Sequence, residues 1–368
     1  MEQLIEQLEQ QIATRWNRRH CVLTGHGSTA IYLALKAIAF QHGTGDVLVP
    51  AIGCASIAQI ILYAGFTPLF TDVRLDDFTM DAASLPAWIT PATRAILPVH
   101  LYGHACDMDA IMRIAAAHSL PVIEDAAQSL GGVYGDRLLG TIGDFGIFSF
   151  GGTKAVAAGG GGALLFDDDA YAQSVRSQLE LLPEFESTAE TALLAHSHAN
   201  LWHGTVDYLR LHPDEEMGWV WQRAAPLYRS LYFHRFPADP AYAQTIERGL
   251  SDLDVRNAER LERAERYDAQ LAGLPIQRSD AWRRSRSIWR YTFLLRTPEE
   301  TIEVSNELRR RGVNASNHYW SLADVFQDIK TLPNAAEVAS RVVNFWVDGK
   351  ATDEAIDRSA QLLGTMVR

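Results

Sequence analysis

The sequence predicts an α/β fold: a large, mostly parallel sheet covered by helices, followed by a smaller α+β unit. Three observations predict it. Between residues 21 and 166, short runs of Val, Ile, Leu and Phe alternate with longer amphipathic stretches. The runs are continuously apolar, as strands buried on both faces require. The stretches between them are long enough for crossover helices. A length of 368 residues exceeds one compact core and suggests two domains.

Residues 2–17 place apolar and charged positions at helical spacing. A strand at 21–23 leads into the loop Thr24-Gly25-His26-Gly27. Ser28 is expected to cap the next helix, which carries Ile31, Leu35 and Ile38 inward. Further strands are expected at 47–49, 68–73, 94–99, 121–124, 145–150 and 163–166, with helices at 56–64 and 107–118. Ligands in such sheets sit beyond the carboxyl ends of the strands, and Asp125 stands at one such end. From about 170 to 245 the periodicity is broken. Residues 252–271 form a strong helical pattern in which Arg256, Arg260 and Arg263 are spaced against Glu259, Glu262 and Glu265. Each such exposed pair is worth about 0.3–0.5 kcal/mol. After Gly273 a strand at 289–295, a helix at 298–310, a strand at 313–319 and a closing helix complete the chain. We therefore expect a large domain over 1–250, with a divergent segment at about 180–245, and a small α+β domain over 251–368.

Composition narrows the function. A net charge of −12 argues against non-specific nucleic-acid binding and against an anionic membrane surface. Cys21, Cys54 and Cys106 have neither disulfide nor metal spacing, which fits reduced thiols in the cytoplasm. Residues 1–16 lack the basic start and apolar core of a secretory leader. The uncharged run 47–71 is broken by Pro50, Gly53, Gly65 and Pro68, so it reads as strand, helix and strand rather than a membrane span.

Chemistry concentrates in the stretch from Gly143 to Ala163. Lys154 lies between an apolar strand and the four glycines Gly159 to Gly162. A desolvated lysine loses its proton easily and becomes an amine nucleophile toward a carbonyl. A solvated loop lysine beside a flexible tract is the plainer reading. Asp125 can pair with a protonated pyridine nitrogen, as pyridoxal phosphate (PLP) requires, or can simply be a helix N-cap, the more common role for an Asp after a strand. Gly27 and Ser28 enter a helix whose first N–H groups can cradle a phosphate. Ser149 can add a hydroxyl to the same site. His196, His198 and His203 lack a cysteine or carboxylate at ligand spacing and read as polar loop residues rather than metal ligands. Arg283, Arg284, Arg286 and Arg290 read as a solvated turn and strand edge; a phosphate clamp is the alternative.

Several longer stretches carry a family resemblance. They are Gly27-Ser-Thr-Ala-Ile-Tyr-Leu-Ala-Leu35, Gly45-Asp-Val-Leu-Val-Pro50, Leu62-Tyr-Ala-Gly-Phe-Thr-Pro68, Pro98-Val-His-Leu-Tyr-Gly103 with Asp107 and Asp109, Glu124-Asp-Ala-Ala-Gln128, and Phe148-Ser-Phe-Gly-Gly-Thr-Lys154. In this order they resemble the DegT–StrS family of nucleotide-sugar aminotransferases, which are fold type I PLP enzymes. The resemblance is close over about 1–170 and looser over 250–368. It implies that Lys154 is the Schiff-base lysine, that Asp125 pairs with the pyridine nitrogen, and that Gln128 hydrogen-bonds the cofactor's phenolic oxygen. It implies that Gly27, Ser28 and Ser149 contact the phosphate. It further implies a homodimer and reversible amino transfer from an amino acid, glutamate above all, to a nucleotide-linked keto-sugar for surface-polysaccharide or secondary-metabolite synthesis.

The chain also departs from the family's pattern. Cys54 stands where an aromatic usually covers the PLP ring. Ala155 replaces an Asn, and Gly160 stands where an acidic residue is common. The middle region lacks a Gly-x-Asn-x-Arg-Met motif, for which Asn200 or His203 are the available substitutes. Deoxysugar dehydration on the same scaffold is one alternative, although that chemistry usually replaces the lysine. A PLP-binding regulatory protein is another. A dinucleotide oxidoreductase would need a third glycine after Gly25-His-Gly27.

Overall fold

A computed structural model describes residues 2–185, 231, 233–326 and 331–367. The first part of the chain alternates strand and helix. Helix α1 (Glu2–Arg15) precedes β1 (His20–Thr24), α2 (Gly27–His42), β2 (Asp46–Pro50), α3 (Ala55–Tyr63), β3 (Thr67–Thr71), β4 (Thr93–Ile96), α4 (Met108–His118) and β5 (Ile123–Asp125). A short hairpin of β6 (Val133–Tyr134) and β7 (Arg137–Leu138) leads to β8 (Phe145–Ser149), β9 (Gly162–Phe166) and α5 (Asp169–Glu180). Two parallel bridges, Ile96 to Val122 and Val99 to Asp125, join the two strand groups into the order β1-β9-β8-β5-β4-β2-β3. Only β9 runs against its neighbours. The sheet is therefore mostly parallel, as its continuous apolar strands require.

Strand side chains alternate between two cores. Val22, Ile147, Leu164 and Phe166 face α2, α3 and α5. Leu23, Phe148, Ala163 and Leu165 face α1 and α6 (Pro240–Ser251). The period of two thus buries both faces of the same strands.

The C-terminal part is a four-stranded antiparallel sheet. It is built from β10 (Gln277–Arg278), β11 (Arg290–Leu294), β12 (Ala315–Ser316) and β13 (Val342–Trp346), in the order β10-β11-β13-β12. Helix α7 (Leu253–Gln270) packs Ala264 and Tyr267 on this sheet. Helices α9 (Pro298–Arg310) and α12 (Asp353–Met366) add Val304, Leu308, Ile356 and Leu363. Three short helices, α8 (Ala281–Ser285), α10 (Leu322–Val325) and α11 (Pro333–Arg341), join these elements.

Two local expectations change. Ser28 does not cap α2. His26 takes that position with extended backbone, and Ser28 lies inside the first turn. The strand expected over 313–319 pairs only at Ala315 and Ser316, after which the chain leaves the sheet toward the carboxyl edge of the large one. Among the described residues, no helix is long and apolar enough to cross a membrane.

Candidate active site

The carboxyl ends of β1, β5 and β8 open onto a cavity of about 400 Å³. Gly27, Ser28, Asp125, Gln128, Ser149 and Lys154, separated by up to 127 positions in the chain, all line it. Topology explains the convergence. Three parallel strands end at one edge, and each delivers its next residues to the same crevice.

The start of α2 is packed tightly against β8 and β9. A Cβ on Gly27 would sit 3.0 Å from the Ser149 Cβ and 3.3 Å from the Phe148 carbonyl oxygen. A Cβ on Gly162 would sit 2.5 Å from the Gly27 nitrogen. A side chain at Gly162 would have to displace backbone and one at Gly27 would be tight, and the close packing brings the positive end of the α2 dipole to the cavity wall. Ser149 is nearly buried, and among the described residues its Oγ accepts only a long 3.4 Å bond from the Gly151 N–H. Small residues, a serine hydroxyl and a helix start suit a phosphate.

Asp125 lies deeper. Its Oδ1 accepts the Ala127 N–H at 2.9 Å. Burial pushes its carboxyl above the usual range, against the Ala127 N–H and the charge of Lys154. A cationic partner in the cavity would reverse that shift. Lys154 is moved the other way. Burial lowers its ammonium first and Arg290 adds to that, while Asp125 and Cys54 oppose it. Its Nζ lies 5.4 Å from the centre of the Trp289 ring.

Beneath Asp125 is a buried clamp. Glu124, on the opposite side of β5, accepts the His100 Nε2–H at 2.9 Å. It also accepts the N–H groups of Gly140, Ile142 and Gly143 at 2.7, 2.7 and 2.8 Å. Both side chains are fully buried. The Cys106 N–H donates to the His100 Nδ1 at 3.1 Å, so the ring hydrogen sits on Nε2. The clamp ties the end of β5 to the loop that enters β8, and so fixes Asp125 relative to the strand carrying Ser149.

The sequence reading missed three contributors. His26 lines the cavity and is held neutral, pushed down to about 3 chiefly by burial and further by His234 and Lys154. Tyr319 lines it from the C-terminal part, and Trp289 stacks on Tyr319 at 5.9 Å. The Tyr102–Tyr319 approach spans more than two hundred positions, and no local pattern signals it.

The basic cluster does not converge. Arg283 pairs with Glu265 and Asp268, and Arg284 with Asp280, as a solvated turn would. Arg290 is different: it is buried between the rings of Trp289 and Trp346. His196, His198, Asn200 and His203 lie outside the described residues. Among the described residues no cluster of His, Cys, Asp or Glu could hold a metal.

The family model for the DegT/DnrJ/EryC1/StrS aminotransferases matches residues 2–196 and 242–363. The chain belongs to this family. GDP-perosamine synthase of Caulobacter vibrioides is 41% identical over 172 residues, which are 47% of this chain and 46% of that protein. The chain thus spans about half the length of the curated relatives it matches. In the crystal structure of S. venezuelae DesV, described as a complex with a ketimine intermediate, the match covers 99% of this chain and 90% of that one. The TM-score is 0.76 and the identity 25%. The PLP form of the putative sugar aminotransferase Spr1654 from Streptococcus pneumoniae gives a TM-score of 0.77 at 20% identity, covering 99% and 91% of the two chains. Pyridoxal phosphate is the cofactor these findings indicate. The cavity suits it: an amine of lowered basicity, a buried carboxylate whose raised pKa calls for a cationic partner, and a helix start open to phosphate.

Proposed function

We propose that the chain is a PLP-dependent aminotransferase that moves an amino group from an amino acid, glutamate in this reading, to a nucleotide-linked keto-sugar. The product would feed surface-polysaccharide or secondary-metabolite synthesis. The observation that carries this reading is the convergence of Lys154, Asp125 and the α2 start on one cavity.

PLP, when bound, supplies an electron sink that stabilises negative charge on the substrate carbon. The protein does the rest. The Gly27–Ser28 turn and Ser149 hold the phosphate. Asp125 would hold the proton on the pyridine nitrogen, its own carboxylate ionised beside that positive charge. Gln128 binds the phenolic oxygen. Lys154 supplies the amine, whose basicity burial lowers, and its Nζ takes and returns the proton moved during amino transfer.

In this reading the large and small domains divide near residue 251, at the junction of α6 and α7. The protein acts as a cytoplasmic homodimer whose sites lie at the subunit interface. The presence of Lys154 favours amino transfer over dehydration on the same scaffold.

The test is to load the purified protein with PLP, add L-glutamate, and quantify cofactor forms by chromatography. Conversion to pyridoxamine phosphate with equimolar 2-oxoglutarate is the expected result. PLP left unconverted by glutamate and by every other amino acid supplied would overturn the proposal.

A further inference from the structure

The orientation of Gln128 is dictated by its neighbours. The Tyr102 backbone N–H can only donate, and it meets the Gln128 Oε1 at 2.7 Å. The amide nitrogen must therefore face the other way, where it lies 3.1 Å from the Tyr319 hydroxyl. An amide nitrogen cannot accept a hydrogen bond. The phenol oxygen of Tyr319 accepts there, and its own hydrogen points elsewhere.

Two aromatic rings lie nearly parallel to that of Tyr319. Trp289 stacks on it at 5.9 Å and 15°, and Tyr102 at 6.2 Å and 23°. Trp289 is itself fixed. Its indole N–H donates to the Thr153 carbonyl oxygen at 2.9 Å, and its other contacts include the Arg290 guanidinium 4.2 Å from the ring centre. Tyr102 is fixed as well, with its hydroxyl donating to the His318 carbonyl oxygen at 2.6 Å and accepting the Tyr319 N–H at 3.1 Å. What it offers the cavity is its hydroxyl edge. Among the described residues nothing accepts that hydroxyl hydrogen, and burial raises the phenol well above its ordinary value, so the hydrogen stays in place.

We propose that Tyr319 is a cofactor-binding residue that donates its O–H to the phenolic oxygen of pyridoxal phosphate, beside the second N–H of Gln128. This rests on the PLP reading above. A donor on that oxygen stabilises its negative charge. The nitrogen that links the cofactor to Lys154 then loses its proton at lower pH.

The experiment is a pH titration of the visible absorption band of PLP-loaded wild type and Tyr319→Phe, with the apparent PLP dissociation constant measured beside it. Phe keeps the ring and the stack and removes only the hydroxyl. A hydrogen bond to a charged group is worth about 1.5–3 kcal/mol, so the midpoint should rise by about one to two pH units. The dissociation constant should rise about tenfold or more. The cofactor-free variant should unfold only slightly below the wild-type temperature, since it loses just the acceptor of one Gln128 N–H. A weaker-binding variant with an unmoved midpoint would mean that Tyr319 only packs the site, and would overturn the proposal. A wild type that forms no visible band with PLP would instead bring down the cofactor reading, and this proposal with it.

Discussion

Replacing Glu124 by Gln should damage the protein more than its near-identical shape suggests. The Glu124 carboxylate accepts four N–H groups: His100 and Gly140 on Oε1, and Ile142 and Gly143 on Oε2. A glutamine can accept on one side only. Whichever way the amide turns, two buried donors then face an NH₂ group. His100 cannot adapt by switching tautomer, because the Cys106 N–H occupies its Nδ1. Each unsatisfied donor costs about 1–3 kcal/mol, so the loss is about 2–6 kcal/mol. The assay is the urea midpoint of cofactor-free wild type and variant across pH. Burial raises the Glu124 carboxyl, but the His100 bond and the loop N–H groups outweigh it, and its folded value lies below the ordinary 4.5. A depressed carboxyl stabilises the fold above its unfolded pKa and loses that contribution as pH falls through the folded one. The gap between wild type and variant should be full above about pH 5 and narrow on acidification. A loss under about 1 kcal/mol, or a gap that stays constant down to pH 3, would refute the clamp.

Two further substitutions probe the site from other directions. Gly162→Ala places a Cβ 2.5 Å from the Gly27 nitrogen, where only backbone could yield; stability should fall by about 1–3 kcal/mol, read by urea midpoint, and PLP affinity should fall with it because the α2 start is displaced. Arg290 is buried at 1% exposure with an unpartnered Nε, and it has no ion-pair partner among the described residues. Burial above all lowers its guanidinium to about 9. Arg290→Met should leave thermal stability unchanged or raise it, since a similar apolar shape relieves a buried charge. The same variant should need higher pH to couple PLP to Lys154, because Arg290 helps lower the basicity of that amine. A large thermal loss in Arg290→Met would contradict this.

The sequence made the large sheet and the cofactor end of the site legible for a physical reason. Strands buried on both faces must be apolar throughout, so β2, β8 and β9 announce themselves. The residues that follow β1, β5 and β8 sit close in sequence to strands that can be recognised. Gly27, Asp125, Ser149 and Lys154 could be named on that basis. Lys154 stands five residues after Ser149, and topology does the rest. The clamp was less legible, because Glu124 and His100 meet by strand pairing and Gly140 to Gly143 by a loop. Tyr319 was not legible at all. It reaches the cavity only because β12 ends at Ser316 and the chain turns back toward the large sheet, and no period or motif records that turn. The Ser28 cap failed for a smaller reason. His26 is already extended as it leaves β1, so the helix begins one residue before the serine, at Gly27.

The most direct test of the central claim is to reduce the PLP-loaded protein with borohydride and map the modified peptide by mass spectrometry. The account predicts one cofactor per chain, attached to Lys154, with no attachment in Lys154→Ala. Attachment at Lys36, Lys330 or Lys350, or none on a protein that still binds PLP, would contradict it.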